Sequence, residues 1–460
     1  MKHYDAIIIG AGQAGTPLAK KLAEAGKKTA VIEKRIVGGT CIIDGCTPTK
    51  AMIASAQAIH KAQTAGDLGI KVGSVKVDFK KVIARKNEIV DMFQGSAQKG
   101  IESTKNLDLI MGEAVFSGEK ELTITDSKGE KQVVTADFIF INTGAKTLIP
   151  EIEGLDNIDY LTSTTILDLE EVPEHIVIVG GNYIGLEFGQ MFKRFGSKIT
   201  ILEKSSTIMA KEDQDASEEI TKILTEEGLT ILTDTVIKNI QTKDGKISVS
   251  LTAGGKAKTI KASHILIAAG RTPQTDSLQL ETAGIKTDDK GHVTVDEKLE
   301  TNIKGIYALG DVKGGPAFTH IAYNDYTIVY RNLIEKANLS TEGRPVPYCM
   351  FTDPQMARIG ISEKQAKEQG LAYKVAKIPM EQVARGIETG DTLGFMKAIV
   401  DVKTKQILGA CIIASEGGEI MSVLQMAMQG EITYEQIRYG IFAHPTYSES
   451  LNNLFMKLED

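Results

Sequence analysis

One local pattern occurs twice in this chain, and it restricts the fold more than any other feature. A strand-like run, YDAIIIG, enters the turn Gly10-Ala11-Gly12-Gln13-Ala14-Gly15, continues as the helical stretch AGTPLAKKLAEAG, and returns as a second strand, KTAVIEK, carrying Glu33. The same order recurs from His175: HIVIVGG, then YIGLEFGQMFKRFG, then KITILEK with Glu203. Strand, glycine turn and helix in that order form half of a doubly wound parallel sheet that receives a dinucleotide. Gly10 and Gly180 stand 170 residues apart, an internal duplication of function and not a short-period repeat. A length of 460 residues allows about three domains.

In the first turn, Gly10, Gly12 and Gly15 let the backbone bend tightly and approach a pyrophosphate resting on the helix N-terminus. Glu33 is placed to accept hydrogen bonds from an adenosine ribose. The second turn, Gly180-Gly181-Asn182-Tyr183-Ile184-Gly185, departs from the pattern. Asn182 stands where the second glycine would allow closest approach. Asparagine tolerates a positive φ, but its side chain takes room, so weaker or displaced cofactor binding is expected. The carboxylate of Glu203 suits a free ribose 2′-hydroxyl over a 2′-phosphate. NAD(H) is therefore favoured over NADP(H), although Lys204 is adjacent and Lys211 is near.

Between the two units lies GGTCIIDGCTPTK, with Cys41 and Cys46 just ahead of a helical stretch, TPTKAMIASAQAIHKAQ. Free amides and the dipole at a helix start favour a thiolate, so a lowered thiol pKa is expected there. The pair reads as a redox dithiol, with a structural disulfide or half of a zinc site as alternatives. Zinc would need two more ligands, and no second Cys/His cluster exists. The other two cysteines, Cys349 and Cys411, sit singly in apolar strand-like runs and read as small buried hydrophobes.

A net charge of -7 without a basic patch argues against nucleic acid or an anionic membrane as partner. No apolar run is long enough to span a bilayer. The start, MKHYDAIIIG, lacks the stretch of a signal peptide, and a cytoplasmic location is expected. Short strands run from about Leu107 to Ile141, ending FIFINTG, and HILIAAGRTP and TNIKGIYALGD add further strands. From Pro345 onward, strands precede helices in an α+β block ending FAHPTYSESLNNLF.

This ordered set resembles the class I pyridine nucleotide–disulfide oxidoreductases, the flavoenzyme family of lipoamide dehydrogenase, glutathione reductase and mercuric reductase. The resemblance runs from IIIGAGQAG through GGTCIIDGCTPTK, GGNYIGLE, IAAGRTP and YALGD to HPTYSE. It implies an α/β fold with two Rossmann-like dinucleotide-binding domains and a C-terminal α+β dimerisation domain. An FAD-binding domain would occupy residues 1–146 and 269–340, an NAD(P)-binding domain 147–268, and a dimerisation domain 341–460.

By the same resemblance, Gly10, Gly12, Gly15, Glu33, Thr40, Gly144 and Asp311 match FAD contacts, and Lys50 matches a lysine near flavin N5. Gly180, Tyr183, Gly185, Glu203 and Gly270 belong to the nicotinamide cofactor site. Glu187 matches the ion-pair partner of that lysine, and Tyr183 the ring that covers the nicotinamide pocket and moves aside. Cys46 corresponds to the thiol against the flavin and Cys41 to the outer, interchange thiol. His444 and Glu449 match an acid–base pair that serves the dithiol of the other subunit in a homodimer. Histidine suits this role because its pKa is near neutrality. Of the seven histidines, His3, His60, His175, His264 and His292 read as surface or packing residues, and His320 as structural.

The implied activity passes electrons from NAD(P)H through FAD to the cysteine pair and on to a small-molecule substrate. Ile43-Asp44 between the cysteines departs from the Asn-Val common in lipoamide dehydrogenases, and GCTPTK, FTDPQMARIG and SEGGEIMSVLQMA are similar to the mercuric-reductase-like subgroup. SESLNNLF is similar to bacterial reductases of reactive chlorine species and hypothiocyanous acid. The sequence ends FMKLED without the extra cysteine pair of full mercuric reductases, so the expected substrate is a small oxidant, or a metal or thiol compound that reacts with a dithiol, and not chiefly mercury. Lipoamide dehydrogenase is the alternative.

Overall fold

The computed structural model describes residues 2–243 and 245–458. The chain forms two compact units. One comprises Met1–Ala51, Ile83–Leu148 and Gly270–Arg344, and the other Met52–Val82, Ile149–Ala269 and Pro345–Asp460.

The first unit is organised by β1 (Lys2–Ile9), which pairs in parallel with β2 (Thr29–Glu33) on one side. Beyond β2 lies β3 (Leu107–Met111), also parallel. On its other side β1 pairs in parallel with β6 (Lys131–Ile141). The sheet then turns antiparallel through β5 (Glu121–Thr125) to β4 (Glu113–Gly118), while Ile306–Ala308 pairs in parallel with β6. Side chains alternate along a strand, so Ile7 and Ile9 join the cluster holding Ile139 and Ile141, whereas Ala6 and Ile8 join the one holding Leu18 and Leu22. A strand covered on both faces must be apolar throughout, which is why the run reads AIII. Each fully buried isoleucine contributes about 1.5–3 kcal/mol.

Helix α1 (Gly15–Glu24) buries Gly15, Leu18, Ala19, Leu22 and Ala23, the i, i+3, i+4, i+7, i+8 stripe of a helix packed on a sheet. It stops at Gly26, whose φ of +85° suits glycine. The amide of Gly26 donates to Ala23 O and that of Lys27 to Leu22 O, both at 3.0 Å, which satisfies the last carbonyls. Two further helices follow, α2 (Gly39–Ile43) and α3 (Cys46–Thr64), and then α4 (Phe79–Glu102).

The second unit holds a four-stranded parallel sheet in the order Thr230–Leu232, Lys198–Leu202, His175–Val179, His264–Ile267. Helix α5 (Tyr183–Phe195) follows His175–Val179. An antiparallel sheet is built from Thr235–Lys243, Lys246–Ala253 and Lys256–Ala262. The C-terminal block is a five-stranded antiparallel sheet, ordered Tyr348–Met350, Gln355–Gly360, Ile407–Ala414, Phe395–Asp401, Tyr373–Pro379. Its core combines Ile378, Met396, Ala398 and Ile412 with Ile420 and Leu424 of Gly417–Gln429 and Leu451, Leu454 and Phe455 near the C-terminus. The expected α/β and α+β architectures are thus both present. Cys411 is buried as anticipated, but Cys349 is only half-buried, because its strand lies at the edge of the sheet.

Candidate active site

The two glycine turns have nearly the same geometry. Gly10 has φ +105° and Gly180 +117°. A Cβ on Gly10 would meet Asn142 O at 2.4 Å, and one on Gly180 would meet Ala268 O at 2.4 Å. A Cβ on Gly15 would lie 2.2 Å from Gly10 O, and one on Gly185 2.1 Å from Gly180 O. Only glycine permits these approaches. The carboxylates match as well. Glu33 accepts from the amides of Ala11 at 3.0 Å and Arg35 at 2.9 Å; Glu203 accepts from Gly181 and Ser205, both at 2.8 Å. Each carboxylate therefore ties the end of the second strand to the turn after the first.

The turns differ at the helix start. Ala14 precedes α1 without a side-chain cap; Thr16 N donates to Gly12 O at 3.0 Å and Pro17 has no N–H, so the anion-facing amides are those at the Ala14–Gly15 turn. At α5, Asn182 Oδ1 accepts from the Tyr183 amide at 2.9 Å. The backbone of Asn182 is extended, with φ −114°. The positive φ for which asparagine was considered is thus not used; the residue caps the helix with its side chain instead.

The first unit fits FAD. A Cβ on Gly12 would meet only Asn142 Nδ2 at 3.3 Å and Gly39 Cα at 4.0 Å, leaving its remaining face open beside the uncapped helix. Asp311 lies in the turn Gly310–Lys313, and burial raises its pKa despite Arg271 and Lys313 nearby. Arg271 Nε is buried, 3.8 Å from Asp311, and makes no hydrogen bond. A buried donor and carboxylate of this kind call for a polar partner. Gly144 adopts φ +72° after β6, and its carbonyl accepts from Gln274 N at 2.9 Å. Gly270 adopts φ +142°, with its carbonyl receiving Leu148 N at 3.0 Å.

Both thiols of the redox pair are reduced, Cys41 partly exposed and Cys46 exposed. They occupy separate helices: Cys41 sits within α2, alongside Thr40, and Cys46 opens α3. A Cβ on Gly45 would fall 2.6 Å from Thr40 O, so the link between these helices closes tightly. Cys46 Sγ lies 3.4 Å from Thr319 Oγ1. The hydrogen bond to Cys46, followed by burial, pushes the Cys41 thiol well above its ordinary range, with Thr319 and Lys50 opposing. The lowered pKa expected for the pair is therefore corrected at Cys41. A dithiol shares its protons, and a sulfur that donates to its neighbour is the second to ionise.

Lys50 follows Cys46 by one helical turn on α3. In the second unit, Glu187 is buried on α5 and its Oε1 accepts from the Phe351 amide at 2.8 Å. The Tyr183 hydroxyl donates to Glu212 Oε1 at 2.8 Å, and its ring lies 5.6 Å from that of Tyr348. His444 Nδ1 lies 2.9 and 3.1 Å from the two carboxylate oxygens of Glu449. Among the other histidines, His175 is buried and bonded to Lys261 O and Thr200 Oγ1, while His320 is exposed and stacked on Phe318.

Sequence reasoning missed Thr319, Asn142, Glu212 and Tyr348. Asn142 carried a signal, since it follows the strand run FIFI directly. Glu212 carried none, because KEDQD reads as a solvated charge run.

Two nucleotide turns that flank a dithiol along the chain, with a histidine–carboxylate pair in the last block, define a flavin-dependent reductase that uses a pyridine nucleotide. The chain belongs to the pyridine nucleotide-disulphide oxidoreductase family, whose model matches residues 4–325. The family's dimerisation domain matches residues 346–455, which makes the chain one half of a homodimer. It is 38% identical over 459 residues to the probable pyridine nucleotide-disulfide oxidoreductase RclA of Escherichia coli K12, covering 99% of each chain. Mercuric reductase of Staphylococcus aureus is 34% identical, over 97% of this chain and 81% of that protein. Dihydrolipoyl dehydrogenase of Staphylococcus aureus is 35% identical, over 97% and 94%. The solved structure described as HOCl-induced flavoprotein disulfide reductase RclA from Escherichia coli superposes with a TM-score of 0.90 at 37% identity, covering 99% of this chain and 100% of that one. The likeness to RclA in both sequence and structure favours a disulfide reductase over a lipoamide dehydrogenase. No described helix is long and apolar enough to cross a membrane.

Proposed function

We propose that this chain is a homodimeric cytoplasmic reductase that takes two electrons from NADH and delivers them through Cys41 and Cys46 to a small oxidant that attacks thiols. Hypothiocyanous acid and reactive chlorine species are the substrate class. The observation that carries this reading is the reduced dithiol, with Cys41 hydrogen-bonded to Cys46 and Cys46 beside Thr319, in the unit that also holds the first glycine turn.

FAD, when bound, supplies the two-electron relay between nicotinamide and sulfur. Residues 1–146 and 269–340 form its domain, with Gly10, Gly12, Gly15, Glu33, Thr40, Gly144 and Asp311 as contacts. Lys50 places positive charge near the relay. Residues 147–268 form the nicotinamide domain. Gly180 and Gly185 line its backbone approach, and Glu203 selects a free 2′-hydroxyl, hence NADH. Tyr183 lies over the nicotinamide pocket. Residues 341–460 form the dimer interface and bring His444 of the partner subunit to Cys41.

With hypothiocyanous acid, Cys41 gives up its proton to His444 of the partner subunit and attacks the oxidant's sulfur. An S–S bond forms, the S–O bond breaks, and hydroxide leaves with that proton as water. Cys46 then attacks the Cys41 sulfur and expels thiocyanate, forming the Cys41–Cys46 disulfide. Two electrons from NADH reopen it, so NADH and HOSCN become NAD+, thiocyanate and water. Glu449 holds the imidazole in orientation.

Anaerobic titration tests the electron path: four electrons per FAD, with a long-wavelength thiolate–flavin band at the two-electron stage. Uptake of two electrons without that band would remove the dithiol from the path. NADH consumption with hypothiocyanous acid, Hg(II) and lipoamide tests the substrate. Turnover confined to lipoamide overturns the proposed class.

A further inference from the structure

Glu212 is a buried carboxylate that the reaction above does not use. Only 1% of its side chain is exposed, and donors from three segments converge on it. Tyr183 donates its hydroxyl to Oε1 at 2.8 Å, Tyr348 donates to the same oxygen, and Arg358 Nη1 donates to Oε2 at 2.9 Å. The main chain fixes this carboxylate relative to the second glycine turn. Met209 N donates to Gly181 O at 2.9 Å, and Glu212 N donates to Met209 O at 2.8 Å. Arg358 is itself buried and also reaches Asp213 Oδ2 at 3.4 Å, which Lys397 approaches to 3.1 Å. The charges of the cluster are therefore compensated without help from Tyr183.

The two phenols are not equivalent. Tyr183 opens α5 at the glycine turn, where a dinucleotide would lie, and its ring is partly exposed. Tyr348 begins a strand of the C-terminal sheet and is held by pairing with Gln355–Gly360. One phenol stands on a helix start facing the cofactor side, and the other is anchored in a sheet.

We propose that Glu212 is a latch for Tyr183 and that Tyr348 is the standing donor that lets the latch release. Both are positioning residues, and the inference rests on the reading of Tyr183 as the ring over the nicotinamide pocket. Moving that ring aside breaks its hydrogen bond to Glu212. A buried carboxylate oxygen left without a donor would make this movement costly. Because Tyr348 already donates to Oε1, the oxygen stays satisfied when Tyr183 leaves, and Arg358 continues to hold Oε2. The two hydroxyls also bond to each other, so opening costs Tyr183 its bonds to Glu212 and to Tyr348, and the closed position is favoured without being locked.

The two phenols should consequently act in opposite directions on NADH affinity. The experiment uses the FAD-loaded, full-length dimer and follows anaerobic flavin reduction by NADH in rapid mixing, separating the NADH dissociation constant from the limiting rate. Tyr183→Phe keeps the ring and loses the latch, so the dissociation constant should fall by roughly threefold to tenfold, the worth of one hydrogen bond. Tyr348→Phe removes the standing donor, so the constant should rise by a similar factor. The limiting rate of Tyr348→Phe should be little changed. The double variant should match Tyr183→Phe alone, because without the latch Tyr348 no longer affects opening.

Equal or same-direction effects of the two single variants, or simple additivity in the double variant, overturn the latch. Tyr183→Ala separates this failure from that of the underlying reading. If removing the whole ring changes neither NADH affinity, nor the limiting rate, nor the reaction of reduced flavin with oxygen, Tyr183 does not cover the pocket and both readings fall. If Tyr183→Ala alters these quantities while Tyr348→Phe is neutral, only the latch falls.

Discussion

Glu449 presents both carboxylate oxygens to a single nitrogen of His444, Nδ1, at 2.9 and 3.1 Å. The contact depends on Thr446 between them. Its hydroxyl donates to Ala443 O at 2.9 Å and accepts from Glu449 N at 3.2 Å, folding the segment so that residues 444 and 449 meet. With Nδ1 committed to the carboxylate, Nε2 is the nitrogen left to exchange a proton with substrate or sulfur.

Replacing His444 by alanine should therefore lower turnover with the oxidant by about 10²–10⁴, the usual worth of general acid–base catalysis. Glu449→Ala should lower it less, because the imidazole remains but is no longer held. Neither change should slow flavin reduction by NADH in a single turnover, since the proton is needed only at the sulfurs. Near wild-type turnover in His444→Ala would show that another group manages the proton.

Cys41→Ser should abolish reduction of the oxidant while flavin reduction by NADH proceeds, because the outer sulfur meets substrate and the nicotinamide site lies upstream. Cys46→Ser should also lose turnover, but Cys41 would then accumulate as an unresolved adduct with the oxidant. Mass spectrometry of each variant after one equivalent of oxidant distinguishes the two roles. Adduct found only on Cys46 would reverse the assignment.

Burial pushes the Cys411 thiol from 9.0 up to about 12, with Arg358 beside it opposing. A thiol that ionises later in the folded chain than in the unfolded one favours folding fully below pH 9, and this contribution is lost as pH rises through 9 towards 12. The loss amounts to about 1.4 kcal/mol per pH unit within that window. With Cys41 and Cys46 held as the disulfide, urea midpoints of the wild type should drop more steeply above pH 9 than those of Cys411→Ala. Parallel curves would show that Cys411 does not titrate on unfolding.

Glu203 accepts two backbone amides, from Gly181 and Ser205, and so shapes the second turn; in the proposed function it also presents negative charge to the ribose. Glu203→Gln keeps one acceptor and removes the charge. The ratio of kcat/KM for NADH over NADPH should fall by about tenfold, the effect of relieving a like-charge contact worth roughly 1.4 kcal/mol. An unchanged ratio would place nicotinamide selectivity elsewhere.

The sequence by itself determined both dinucleotide half-units, because their rules are local. An apolar strand, a glycine that alone can adopt φ +105° or +117°, and a helix with a regular apolar stripe require no knowledge of distant residues. The family resemblance, the spacing of Cys41 and Cys46, and the pairing of His444 with Glu449 were legible for the same reason, since each lies within one short motif.

Tertiary structure decided what depends on groups brought together from afar. Cys46 meets Thr319 across 273 residues, and Glu212 gathers Tyr183, Tyr348 and Arg358 from separate segments. The protonation of Cys41 belongs here too. A helix start predicts a lowered thiol pKa, but burial and a hydrogen bond to the neighbouring sulfur outweigh it, and both follow from packing. Asn182 shows the same division: its place in the turn was readable, but its extended backbone and its bond to the Tyr183 amide were not. Local spacing specifies which residues carry the chemistry, whereas desolvation and hydrogen bonding in the folded chain set their charge and orientation.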